Sequence, residues 1–135
     1  MTAFIAAQWL DEMARSTNEQ DFDALLDLLS DHIRLLGDSD QDTVDQEEWV
    51  RRRKLQFEGR APGLLSYTPP QMTANLPGRL MFRTVETIET LNGTHQQRPL
   101  EIIIQQEDDG KWRALQQRPL PEASRRYQSP RALKA

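Results

Sequence analysis

Helical periodicity and strand alternation occupy different halves of this chain, and that division constrains the fold more than any other feature. Up to about residue 58 apolar residues recur at helical spacing; beyond it, Pro and Gly punctuate short strand-like runs. Helices first and strands afterwards predict an α+β architecture, not an alternating parallel one. Ile5, Trp9 and Met13, with Ala6 and Leu10 beside them, define one face of a helix over 3–16, opposite Gln8, Asp11, Glu12 and Arg15. Asp21 caps a second helix carrying Phe22, Leu25, Leu26 and Leu29, which ends near Asp31 and His32. A short strand follows over 33–36, and the polar run 38–45 reads as a connection. A third helix starts from Asp45, with Glu48 placed to complete a capping box, and runs to about Gly59.

The rest is strand material: 64–76 broken at Pro69-Pro70, then 79–91, 100–106 and 111–118. Asn92-Gly93 and Asp109-Gly110 are the strongest hairpin signals, because both central residues of a type I′ turn need positive φ. Two-residue turns there place Thr84 opposite Glu101 in the first hairpin and Glu101 opposite Arg118 in the second. Pro99 is a possible bulge site in the first.

Composition excludes several function classes. With no Cys, thiol chemistry and Cys-based zinc sites are out. Asp11 and Glu12 come too early for a secretory signal and no run of 18 apolar residues exists, so a soluble, cytoplasmic protein without membrane contact is expected. The net charge of -4 hides an uneven distribution, an acidic body and a basic end from Arg125 onward, and a negative body argues against nucleic acid. Residues 1–120 form the expected single domain and 121–135 a basic, solvated tail. Two isolated His among scattered acids make no metal set, and 38–42 lacks the Gly and closing Glu of a calcium loop; no metal or cofactor is expected.

A helix pair, a short strand, a third helix around Trp49 and a meander ending in Asp109-Gly110-Lys111-Trp112 resemble the nuclear-transport-factor-2-like superfamily. The resemblance covers 3–120 and rests on the order of the pieces, including the Phe22 to Leu29 segment that leads into Asp31-His32-Ile33-Arg34-Leu35. It implies a cone-shaped α+β barrel: three N-terminal helices packed on a curved, mainly antiparallel sheet. Similar proteins include polyketide cyclases, ketosteroid isomerase, scytalone dehydratase, limonene epoxide hydrolase and non-catalytic transport modules, so the fold leaves function open. The first helix lacks the Tyr of isomerase-like chemistry, and the strand after Trp112 reads Arg113-Ala114-Leu115-Gln116-Gln117-Arg118 where many relatives present His.

Similar proteins point the Trp of that turn inward, which assigns the Trp112 face to the cone interior. Leu80, Phe82, Ile103 and Trp112 then form an apolar end, while Thr84, Glu86, Glu101, Gln116 and Arg118 gather at the other, as in a ligand cavity. Arg118 would hold Glu101 ionised and the nearby Glu86 would be pushed towards protonation, a pair able to divide base and acid roles; the plainer reading is a cross-strand salt bridge. Arg53 falls in the middle of the stripe of Trp49, Val50 and Phe57, and a buried Arg needs a partner: a ligand anion, or Glu86 or Glu101 as structure. His95 is a candidate acid or base at the mouth or a solvated hairpin residue, His32 a helix-end residue, and Tyr67 beside Pro69-Pro70 a candidate pocket wall.

Met81, Val85, Leu100, Ile102, Ile104 and Leu115 would form an apolar outer patch, which predicts a homodimer through the outer sheet face. The leading functional expectation is a small-molecule pocket protein of the polyketide cyclase or isomerase-like kind. In its catalytic form, Glu86, Glu101 and His95 move protons, while Arg53, Arg118, Gln116, Thr84, Trp49 and Tyr67 bind an apolar ligand bearing a carboxylate or carbonyl. The alternative is a non-catalytic dimeric interaction module whose cavity is filled by side chains.

Overall fold

A computed structural model describes residues 2–36, 41–57, 64–89 and 93–120, with only the backbone at 41, 42, 56 and 57. The expected tail, the ends of the third helix and first hairpin, and the Phe57 side chain lie outside the described residues. The elements run α1 (Thr2–Asn18), α2 (Phe22–Leu26), β1 (Leu29–Leu36), β2 (Gln41–Asp45), α3 (Gln46–Phe57), β3 (Leu64–Tyr67), β4 (Gln71–Leu76), β5 (Arg79–Glu89), β6 (His95–Gln106) and β7 (Trp112–Pro119). The seven strands form one curved, unclosed sheet in the order β2-β1-β7-β6-β5-β3, with β4 also on β5. Among the described residues, only β1 and β7 pair in parallel.

Helix α1 buries Ala6, Trp9, Leu10 and Met13, the expected face. Trp9 meets Phe82 edge to face at 6.4 Å between ring centroids and donates its indole N–H to the Leu28 carbonyl at 3.2 Å. The helix ends with Gln20 at φ 56°, where the Gln20 N–H bonds to Thr17 O and the Asp21 N–H to Ser16 O, a Schellman pattern without glycine. Asp21 caps α2 as expected, accepting the Ala24 N–H. The second helix, however, stops at Leu26. The Leu28 carbonyl accepts from both Trp9 and the Ala114 N–H, which draws the chain into the sheet, so Leu29 is a buried strand residue and His32 an exposed one.

The polar segment before α3 contains a strand, not only a connection. In β2, Val44 is buried opposite Ile33, while its polar flanks suit an edge strand. Asp45 caps α3 by accepting the Glu48 N–H at 2.7 Å. Glu48 does not complete the expected capping box, because its carboxylate turns to Arg51 and Arg52. Those bonds, Arg51 first, pull its carboxyl down to about 2.

Both hairpin registers differ from two-residue turns, with opposite consequences for the faces. Glu89 pairs with His95, so an odd number of residues, 90–94, connects β5 to β6. An odd connection shifts the pairing by one position and reverses every side chain of the partner strand. Thus Thr84 faces Leu100, not Glu101, and Leu100, Ile102 and Ile104 join Leu80 and Phe82 in the core. The expected outer apolar patch is therefore not there: Met81, Val85 and Ile103 share the outer face with Arg83, Glu101 and Arg118. Pro99 makes no bulge. It sits opposite Val85, and its carbonyl accepts from Leu120 where β7 has ended.

At the β6–β7 hairpin, Gly110 (φ 85°) closes a loop over 108–110, donating to the Glu107 carbonyl. Gln106 consequently pairs with Trp112, and a bulge at Leu115 restores the expected pairing of Glu101 with Arg118. Trp112 and Ala114 keep the inward face, but beyond the bulge Gln117 takes the inner position expected for Gln116, and Gln116 and Arg118 turn outward.

Candidate functional site

At the polar end of the cone, α3, β3, β5 and β6 bring four charged or phenolic groups together. Arg53, 4% exposed, donates through Nη2 to Glu86 Oε2 at 2.9 Å and to the Tyr67 hydroxyl oxygen at 3.2 Å. The Tyr67 hydroxyl donates to the same Oε2 at 2.9 Å, and Arg98 Nη2 donates to Oε1 at 3.0 Å. Glu86 is 1% exposed. The Arg53 guanidinium also lies 4.9 Å from the centre of the Trp49 ring, a cation–π contact that the i, i+4 spacing on α3 produces directly.

Electrostatics fix the protonation of this cluster. Burial alone raises the Glu86 carboxyl, but the charge of Arg53, then that of Arg98, with the hydrogen bonds, holds it below the ordinary carboxyl value. Burial, followed by the charge on Glu86, pushes the Tyr67 phenol well above its ordinary range, so it stays protonated and donates. Burial works against the charge of Arg53 and is outweighed by Glu86 and Tyr67, so Arg53 stays a cation. Oε2 accepts two hydrogen bonds and Oε1 one, so three donors hold the Glu86 carboxylate as an anion built into the fold.

Beside the cluster opens a pocket of about 170 Å³ lined by Leu35, Trp49, Arg52, Arg53, Arg98 and Gln117. Deeper in the cone, the space expected to hold a ligand is occupied by the cluster and by Trp9, Leu80, Phe82, Leu100 and Ile102. Arg98 is the pocket's adaptable group: its side chain is 46% exposed and, among the described residues, makes one hydrogen bond, to Glu86.

Of the expected site residues, Arg53, Glu86, Trp49 and Tyr67 converge. Thr84 is buried two residues from Glu86 but is committed to the fold, donating to the Thr68 carbonyl at 2.8 Å. Glu101 is not near Glu86. It lies on the outer face, bonded to Arg118 at 2.7 Å and Arg83 at 3.4 Å, so the expected carboxylate pair does not form. Gln116 and Arg118 go outward with it. His95 is exposed opposite Glu89 and does not line the pocket. Arg98 and Gln117 were missed, although an odd hairpin loop puts Arg98 directly across from Glu86. Among the described residues no three His, Asp or Glu are grouped as metal ligands, and no helix is long and apolar enough to cross a membrane.

No family model and no curated protein matches the sequence. Solved structures do match the fold. A nuclear-transport-factor-2-like protein of unknown function from Shewanella oneidensis MR-1 superposes with a TM-score of 0.73 at 15% identity, covering 88% of this chain and 98% of its own. A second such protein, from Pseudomonas putida KT2440, gives 0.67 at 8% identity over 83% and 80%. A Novosphingobium aromaticivorans protein provisionally named an aromatic ring hydroxylase gives 0.69 at 12% over 88% and 90%. At these identities the likeness establishes the nuclear-transport-factor-2-like fold and nothing finer.

Proposed function

We propose that this nuclear-transport-factor-2-like chain binds a short organic anion, a carboxylate of a few heavy atoms, at the mouth of its cone. The observation that carries the reading is Arg98, a half-exposed guanidinium with donors to spare, set beside buried Arg53, the Trp49 ring and Gln117. A planar guanidinium takes a carboxylate through two parallel bonds, and Trp49 with Leu35 offers an apolar wall for a short tail. Size favours a small ligand: the pocket, about 170 Å³, falls below the roughly 300–1,000 Å³ usual for drug-sized ligands. A larger apolar ligand of the polyketide cyclase kind finds no comparable space there, and Glu86 is committed to Arg53, Tyr67 and Arg98. The reading is therefore binding without acid–base catalysis.

Calorimetric titration with propionate tests it. Arg98→Gln is expected to weaken binding at least tenfold with little change in thermal midpoint; equal affinity in both proteins would overturn the reading.

The interior filling favours one second reading, a non-catalytic interaction module assembling as a homodimer in the cytoplasm. Its contact would be the outer sheet face, where Met81, Val85 and Ile103 surround the Arg83–Glu101–Arg118 group. Light scattering showing only monomer at micromolar concentration, together with propionate binding, would remove it.

A further inference from the structure

A second cleft lies on the flank of the molecule, between α1 and the edge strand β3. It measures about 320 Å³, the lower end of the range typical for small-molecule sites. Leu10, Leu65, Pro69 and Pro70 supply apolar walls. On the helix side the flank is Ala7, Asp11 and Ala14, at i, i+4 and i+7, and two small side chains keep the groove open.

Two observations define what fits. First, β3 is closed to an added strand: the Asn18 side-chain amide occupies the outward groups of Leu65, accepting its N–H at 2.8 Å and donating to its carbonyl at 3.0 Å. An extended peptide therefore lacks the main-chain partners that strand addition requires. Second, among the described residues the cleft's lining contains one charged group, the Asp11 carboxylate, and no Lys, Arg or His. Asp11 is exposed and makes no hydrogen bond or ion pair among the described residues.

We propose that the α1–β3 cleft is a second ligand site, which takes a small primary or secondary ammonium compound with an aromatic or compact apolar body. The ammonium sits on Asp11, and the body lies between Leu10 and the Leu65–Pro69–Pro70 wall. Its charge preference is opposite to that of the cone mouth, so the two sites select different ligands. The site does not depend on the mouth reading.

Benzylammonium is the probe, followed by backbone amide shifts in labelled protein. The shifts are expected at Ala7, Ala14 and Ser66, with benzyl alcohol, its neutral counterpart, binding at least fivefold more weakly. Asp11→Asn, an exposed change that keeps the fold, should weaken benzylammonium at least fivefold. Ala14→Leu should abolish its binding by filling the groove. Arg98→Gln should leave it unchanged, which separates this site from the mouth. Equal affinity for amine and alcohol, an unaffected Asp11→Asn protein, or shifts centred on other surface carboxylates such as Asp27 and Asp109 would overturn the proposal.

Discussion

The two faces of the β5–β6–β7 sheet each bury one carboxylate between two arginines, and they differ in what surrounds the charges. Inside, Glu86 is met by Arg53, whose side chain is 4% exposed, and by Arg98 at 46%. Outside, Glu101 is met by Arg83 at 36% and Arg118 at 42%. Composition is the same; dielectric surroundings are not. Glu101 has half-exposed counter-charges that water can replace, whereas the Arg53–Glu86 pair is buried on both sides. A buried ion pair contributes little relative to an apolar pair of the same shape, yet breaking one partner leaves an uncompensated charge. The inner group therefore locks the cone mouth into one arrangement, and the outer group is a surface feature.

Breaking the inner group should have the largest effect. Glu86→Gln is expected to lower stability by about 3–5 kcal/mol, because it removes the anion of a buried ion pair. Replacing both partners, Arg53→Met with Glu86→Leu, should recover most of that loss. Urea unfolding of the three proteins checks this, and a double variant as unstable as the single one would contradict the burial argument.

Acid provides an intermediate perturbation. The Glu86 carboxyl lies below its ordinary value of 4.5 in the folded state, so its contribution is complete above pH 4.5 and is lost as pH falls through the lower folded value. The denaturation midpoint of the native protein should drop over that acid range more steeply than that of Glu86→Gln. Smallest is the outer group: Glu101→Gln should cost roughly 0–1 kcal/mol, as expected for charges with exposed partners, and less at high salt. An equal loss at both carboxylates would erase the distinction between the faces.

Much of this arrangement is legible in the residues. The α1 face, the Asp21 and Asp45 caps, Arg53 within an apolar stripe and the positions of β5 and β7 follow from local periodicity and cap chemistry, which act over a few residues. The faces of β6 and of the second half of β7 do not, because parity depends on loop length and on a bulge. Asn92-Gly93 is a strong two-residue signal, yet an odd connection carries Leu100, Ile102 and Ile104 into the core and Glu101 out of it. The bulge at Leu115 then exchanges Gln116 for Gln117. Strand β2 was hidden because a polar edge strand built around buried Val44 resembles a loop in composition. The pairing of Arg53 with Glu86 was among the readings the residues allowed; Arg98 became visible only with the true register.

The most direct test of the mouth as an anion site is a crystal structure with 3-bromopropionate, whose bromine is located by anomalous scattering. The predicted result is a bromine peak against Trp49 and Leu35, with the carboxylate on Arg98. A peak anywhere else, or a mouth without one while Arg98 remains on Glu86, would contradict the account.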